Sequence, residues 1–138
     1  MSIRAYRESD FAEVKLLWQQ VFPDDPPWNS AESAVPEKLA VQPDLFLVAT
    51  DEDEVIGTIM AGYDGHRGWL YAVAVSENCR RNGIGTALVR EAEARLGTLG
   101  CRKINLQIRS ANAQVKAFYD RLGYEIEDRI SMGKRFAG

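Results

Sequence analysis

Apolar residues recur along this chain at two periods, and each switch between them marks an element. Residues 3–6 alternate as a short strand. Phe11, Val14, Leu17, Trp18 and Val21 then share one helical face. Ser9 or Asp10 is the expected cap, and Glu13 stands three residues after Asp10, as a capping box requires. Pro23 stops this helix, and "PDDPPWNS" is a loop. Residues 30–41 read as a second helix that kinks at Pro36 or starts there. "LFLVAT" (45–50) is a strand, "DEDE" turns it back, and "VIGTIMAGY" (55–63) completes an antiparallel hairpin. "DGHRG" is the next turn, with two glycines to supply positive φ. "WLYAVAV" (69–75) is apolar at every position and reads as a central strand covered on both faces.

A Gly-rich turn follows, then a helix over 83–99 whose buried side is Ile84, Leu88, Ala92, Leu96 and Leu99. Gly100 is its stop. "KINLQIR" (103–109) alternates as a strand. Ser110 is the expected cap of a last helix striped by Val115, Phe118, Tyr119 and Leu122 and ended by Gly123. Residues 124–132 complete the pattern as a final strand. The order is β-α-α-β-β-β-α-β-α-β. Hairpins are antiparallel, and the one βαβ unit demands a parallel pair. The fold class is therefore α+β, a mixed, mostly antiparallel sheet with helices on both faces, in a single domain spanning 1–138.

Composition narrows the function. The net charge of −3 argues against a broad basic face for nucleic acid. Cys79 and Cys101 have no metal-ligand spacing. The charged N-terminus lacks a secretory signal, and no stretch approaches the ~20 apolar residues of a membrane span. A cytoplasmic protein without membrane or nucleic-acid partners is the expectation.

The chemistry concentrates in "ENCRRNGIGTALV" (77–89). A P-loop would need a lysine followed by Ser or Thr, and here Gly85 is followed by Thr86 and Ala87. A dinucleotide fingerprint would need a third glycine where Leu88 stands, after the first strand of its sheet. What remains is Arg80-x-x-Gly83-x-Gly85 between a buried strand and a helix. Glycines admit close backbone approach, unpaired amides sit at the helix start, and the dipole and arginines add positive potential. That suits a pyrophosphate.

This loop resembles the acyl-CoA pyrophosphate loop of the GNAT N-acetyltransferases. "IRAYRESDFAEV" resembles that family's opening strand and helix, "VIGTIM" its third strand and "NAQVKAFYDRLGY" its last helix. The resemblance covers nearly all of the chain. "GYDGHRG" and "GKRF" further resemble its small YpeA-like subgroup. The resemblance implies the GNAT acyl-CoA N-acyltransferase fold, with parallel strands four and five splayed around the thioester. It implies acetyl-CoA as cosubstrate, with no metal, and direct attack by a primary amine in a ternary complex.

Carried across, the resemblance implies a bulge in the fourth strand at Val73, Ala74 and Val75. The Val73 amide polarises the acetyl carbonyl, and Val75 pairs with the pantetheine arm. Arg80, Arg81, Asn82, Gly83, Ile84, Gly85 and Thr86 hold the pyrophosphate. Asn112 contacts the CoA arm or is a plain helix N-terminal residue. Tyr119 protonates the leaving thiolate or packs in the core. Trp28 and Asn29 line the acceptor or cap the core.

The family's common fourth-strand glutamate is missing. Tyr71, two residues before Val73 and on its face, can hold a water; Glu32, Asp64 and Glu77 are other candidates for the base. His66 in its turn and Cys79 beside the loop read as solvated and inert, and "DEDE" as a turn without a metal. The acceptor is a small-molecule or protein amine, and monomer and homodimer stay open. Two rival readings remain: a non-catalytic acyl-CoA sensor or interaction module on the same fold, and a nucleotide-binding domain.

Overall fold

The computed structural model describes residues 1–136. The chain forms two compact units, Met1–Leu106 and the segment from Gln107 onward. The first unit contains a five-stranded sheet in the order β1 (Ser2–Ala5), β2 (Phe46–Asp51), β3 (Glu54–Tyr63), β4 (Gly68–Val75) and β5 (Ile104–Asn105). The first three neighbouring pairs are antiparallel, and β4 and β5 are parallel. Helices α1 (Phe11–Val21), α2 (Ala31–Ala40) and α3 (Ile84–Thr98) complete this unit. Helix α2 runs through Pro36 and starts at the Ser30 cap, whose hydroxyl accepts from the Ser33 amide.

The sheet is covered on both faces. Helices α1 and α2 cover one, where Val14, Leu17, Trp18, Ala31 and Val35 pack with Phe46, Val48, Met60 and Ala74. Tyr6 stacks on Phe46 with ring centroids 4.7 Å apart. Helix α3 covers the other, burying Ile84, Leu88, Val89, Ala92 and Leu96. Its approach requires Gly57: a Cβ there would lie 2.9 Å from Leu88 Cδ1 and 3.1 Å from the Ala74 carbonyl oxygen. Strand β3 outruns β2, whose ladder reaches Met60. Gln42 finishes that edge, donating to the Tyr63 carbonyl at 2.8 Å and accepting from its amide at 3.0 Å, while Lys38 Nζ donates to the Ala61 carbonyl.

Several local expectations are corrected. Asp10 forms no capping box with Glu13. Its carboxylate takes both terminal nitrogens of Arg4, at 2.8 and 2.9 Å, and the Arg7 amide at 2.8 Å. Glu13 instead accepts from the Val55 amide. Of the two glycines in "DGHRG", Gly65 has positive φ; Gly68 is needed for space, since a Cβ there would lie 2.8 Å from Cys101 Sγ. Strand β4 is not covered throughout, because Tyr71 is 54% exposed. Leu99 is an exposed cap residue rather than part of the buried stripe. Beyond it Gly100, at φ 95°, lets the Cys101 amide reach the Leu96 carbonyl.

The strand expected over 103–109 is reduced to Ile104–Asn105. The final strand expected over 124–132 does not form. A three-residue turn, with the Arg129 amide on the Glu127 carbonyl, interrupts it. Ile126, Ile130 and Met132 are 77–90% exposed, so the apolar pattern has no face to bury. Within this second unit, Gln107 donates to Ser131 through side chains rather than through a backbone ladder. Helix α4 (Ala113–Arg121) is its regular element, capped by Asn112 rather than by Ser110.

The Asp10 carboxyl is held below its ordinary pKa, first by its hydrogen bonds from Arg4. A lowered folded-state pKa stabilises above the unfolded value, near about 3.9, and that contribution is lost as pH falls through the folded value. Asp10→Asn should cost about 3 kcal/mol at neutral pH by stranding Arg4. The gap from wild type should narrow near pH 2, as urea unfolding at the two pH values will show.

Candidate functional site

The cofactor-binding candidates of the first unit lie on β4, the turn after it and the first residues of α3. Strand β4 meets β5 at Gly68 and Trp69, and the Gly68 amide donates to the Lys103 carbonyl. Past Trp69, β4 has no β5 partner among the described residues. On its other edge β4 carries a bulge. Met60 pairs with Tyr71 and Thr58 with Ala74, so Ala72 and Val73 together face Ile59. Ala72 is left-handed, at φ 50°. The extra residue reverses the alternation, so Tyr71 shares a face with Ala74, not with Val73 as a regular strand would have it.

Strand β4 ends at Val75, which pairs with Gly57. A short 3-10 turn, Glu77–Cys79, leads into the Gly-rich segment. Arg81 and Gly83 are left-handed, at φ 72° and 77°. A left-handed residue that leads into a right-handed helix, as Gly83 leads into Ile84, turns successive amides toward one side, the arrangement found in anion-binding concavities. The first helical bond joins the Ala87 amide to the Gly83 carbonyl, so the amides of Ile84, Gly85 and Thr86 precede the ladder. A Cβ at Gly83 would meet nothing within 4 Å, so glycine is required there by φ and the space above it is open. Arg80, Arg81 and Asn82 are exposed, and Arg80 Nε donates to the Val75 carbonyl at 3.4 Å. The segment thus fits a pyrophosphate through amides, a helix start and two guanidinium groups.

The candidate bases are less favourable. Burial, then the charge of Asp64, raises the Tyr71 pKa, so this phenol stays protonated and can hold a water without being a base. Asp64 caps its own turn, accepting from the His66 and Arg67 amides at 2.8 and 2.7 Å. Those bonds lower its pKa and weaken it as a base. Glu32 is exposed and pairs with Lys15 at 3.7 Å; Glu77 is exposed after β4. Trp28 and Asn29 form an exposed 3-10 turn before α2. Glu52 and Asp53 are the two left-handed residues of the β2–β3 hairpin turn. An open groove of about 410 Å³ lined by Gln42, Asp44, Leu45, Arg95, Thr98 and Leu99 contains none of the candidate residues.

In the second unit, Asn112 accepts from the Val115 amide at 3.1 Å and so caps α4. Gly123, at φ 93°, ends the helix, and the Tyr124 amide reaches back to the Tyr119 carbonyl. That cap sets the Tyr124 ring edge-on to Tyr119, with centroids 5.5 Å apart, and Phe118 lies edge-on at 4.9 Å. Tyr119 is 6% exposed, and burial pushes its hydroxyl up to about 12. It is a neutral phenol throughout the physiological range.

Residues 11–124 match the profile of the acetyltransferase (GNAT) family, and the chain belongs to that family. An acetyltransferase of Sodalis glossinidius is 45% identical over 138 residues, 98% of this chain and 95% of the relative. Ard1 of Thermoplasma volcanium superimposes with a TM-score of 0.81 at 23% identity, over 91% of this chain and 83% of its own. The acetyltransferase AAC(6')-Iy, solved with the bisubstrate analogue CoA-S-monomethyl-acetylneamine, gives 0.79 at 18% identity, over 99% and 98%. At these identities the two structures show the shared fold.

The sequence pattern placed Trp18 on the apolar face of α1 but gave neither it nor Thr58 a polar partner. The indole Nε1 donates to the Thr58 hydroxyl, and that hydroxyl donates to the Ala72 carbonyl, each at 2.9 Å. A threonine inside an apolar strand, in "VIGTIM", was the available signal, because a buried hydroxyl must find partners.

Asn112→Ala should lower stability by about 1 kcal/mol through loss of the cap. Urea unfolding without ligand reads that cost by itself, and its absence would leave the cap without energetic weight.

Proposed function

We propose that this protein transfers an acetyl group from acetyl-CoA to a primary amine by direct attack in a ternary complex. The observation that carries the reading is the segment from the β4 bulge through left-handed Arg81 and Gly83 to the start of α3. When bound, acetyl-CoA would supply an activated thioester. Arg80, Arg81 and the amides from Asn82 to Thr86 hold its pyrophosphate, with Asn112 on the CoA arm. The Val73 amide faces the acetyl oxygen, where one preorganised donor contributes about 3 kcal/mol to the transition state. Ala74 and Val75 continue that backbone along the pantetheine. Tyr119 donates a proton to the departing sulfur. Tyr71 holds the water through which the acceptor's ammonium sheds its proton before the neutral amine attacks, since an ammonium cannot attack. Trp28 and Asn29 line the acceptor side.

The family match spans residues of both units, which supports one functional domain over 1–138. "GYDGHRG" and "GKRF" support membership in the YpeA-like subgroup. Among the described residues no helix is long and apolar enough to cross a membrane. One observation favours the second reading, an acyl-CoA sensor: β4 carries no carboxylate.

Thermal melts decide whether CoA binds. Acetyl-CoA or CoA at about 100 times its dissociation constant should add about 2.7 kcal/mol, a rise on the order of 9 °C for this length. ATP with magnesium should give none. A protein indifferent to both CoA ligands would lose this reading. Tyr119→Phe should then lower kcat by about 100-fold with CoA binding retained. Bound CoA without turnover of any amine across a broad panel would leave the sensor.

A further inference from the structure

The bulge in β4 is held by a chain of hydrogen bonds whose direction chemistry dictates. An indole N–H can only donate, so the Trp18 bond to Thr58 Oγ1 occupies a lone pair of that hydroxyl. The single hydroxyl proton is left for the Ala72 carbonyl. Thr58 is fully buried and Trp18 is 5% exposed, so water does not compete for these bonds. Ala72 sits at φ 50°, a conformation an L residue keeps only where its surroundings over-determine it.

The Ala72 carbonyl and the Val73 amide belong to one planar trans peptide, in which C=O and N–H point in opposite directions. Tying the oxygen to Thr58, on β3, therefore turns the Val73 N–H away from β3. We infer that Thr58, oriented by Trp18, is a positioning residue for acetyl transfer: its hydroxyl aims the Val73 amide at the site of the thioester oxygen. This rests on the role proposed for Val73 above. No proton of the reaction passes through Thr58. It acts on the transition state by fixing a donor before the substrate arrives, and small misplacement of such a donor is costly.

A purely structural threonine would affect stability alone. Thr58→Val keeps the shape and removes the hydroxyl; Thr58→Ser keeps the hydroxyl. Crystal structures of both should show Ala72 leaving positive φ in the valine variant and keeping it in the serine variant. In steady-state kinetics with a turned-over amine, Thr58→Val should lower kcat by roughly 10- to 100-fold. KM for acetyl-CoA should change by less than about 3-fold, and Thr58→Ser should recover kcat to within about 3-fold. Ala72 unmoved in Thr58→Val, or kcat per folded molecule equal to wild type, overturns the inference. Should Thr58→Val not fold, Trp18→Phe frees the hydroxyl from its orienting bond. A several-fold fall in kcat at constant KM then supports the inference, and an unchanged kcat overturns it. Wild-type protein that neither binds CoA nor turns over any amine fails the functional reading itself, a result separate from any difference between variant and wild type.

Discussion

The shape of β4 depends on one constrained peptide unit, Ala72–Val73. The bulge places an alanine in left-handed backbone, at a cost of roughly 1–2 kcal/mol. A buried hydroxyl offsets that cost by linking α1, β3 and β4 through Trp18, Thr58 and the Ala72 carbonyl. The strand thereby changes the face its residues present. Tyr71 and Ala74 face the α1–α2 side, opposite Met60 and Thr58. A strand without the extra residue would have put Tyr71 and Val73 together and continued its ladder unbroken.

The same strand seats the Gly-rich loop. After the bulge, Val75 pairs with Gly57, where α3 comes closest to the sheet. The missing side chain at Gly57 lets Ile84 and Leu88 press against β3, which fixes where α3 begins. The loop from Ser76 to Gly83 must span from that strand end to that helix start. It does so with two left-handed residues, one of them an arginine. Packing behind the sheet and the place where the Gly-rich loop opens into α3 are thus two consequences of one close approach.

The second unit shows how much a short motif can do alone. In "FYDRLGY" the glycine permits a reversed last turn, the Tyr124 amide closes it on Tyr119, and the two rings meet. The burial that raises the Tyr119 hydroxyl to about 12 also keeps it protonated. Core packing and proton donation, opposed as readings of the sequence, are compatible in one side chain with an apolar ring and a polar tip.

Local chemistry determined what could be read from the residues alone. The stripe from Val14 to Trp18, the hairpin turned at Glu52 and Asp53, the glycine at 83 and the caps at Gly100 and Gly123 each follow from spacing and backbone preference. Features that needed partners from elsewhere were not legible. Asp10 looked like a cap and became the anion for Arg4, because the arginine arrives from β1. The alternation over 124–132 promised a strand, but alternation makes a strand only where a ladder and a buried face are supplied. Thr58 was the deepest omission. Nothing in "VIGTIM" says that a tryptophan forty residues earlier and a carbonyl fourteen residues later converge on one hydroxyl. The sequence by itself determined the helices, the hairpins and the family's loop; only tertiary structure decided which alternating segments became strands and where β4 breaks its alternation, because both depend on groups brought together by folding.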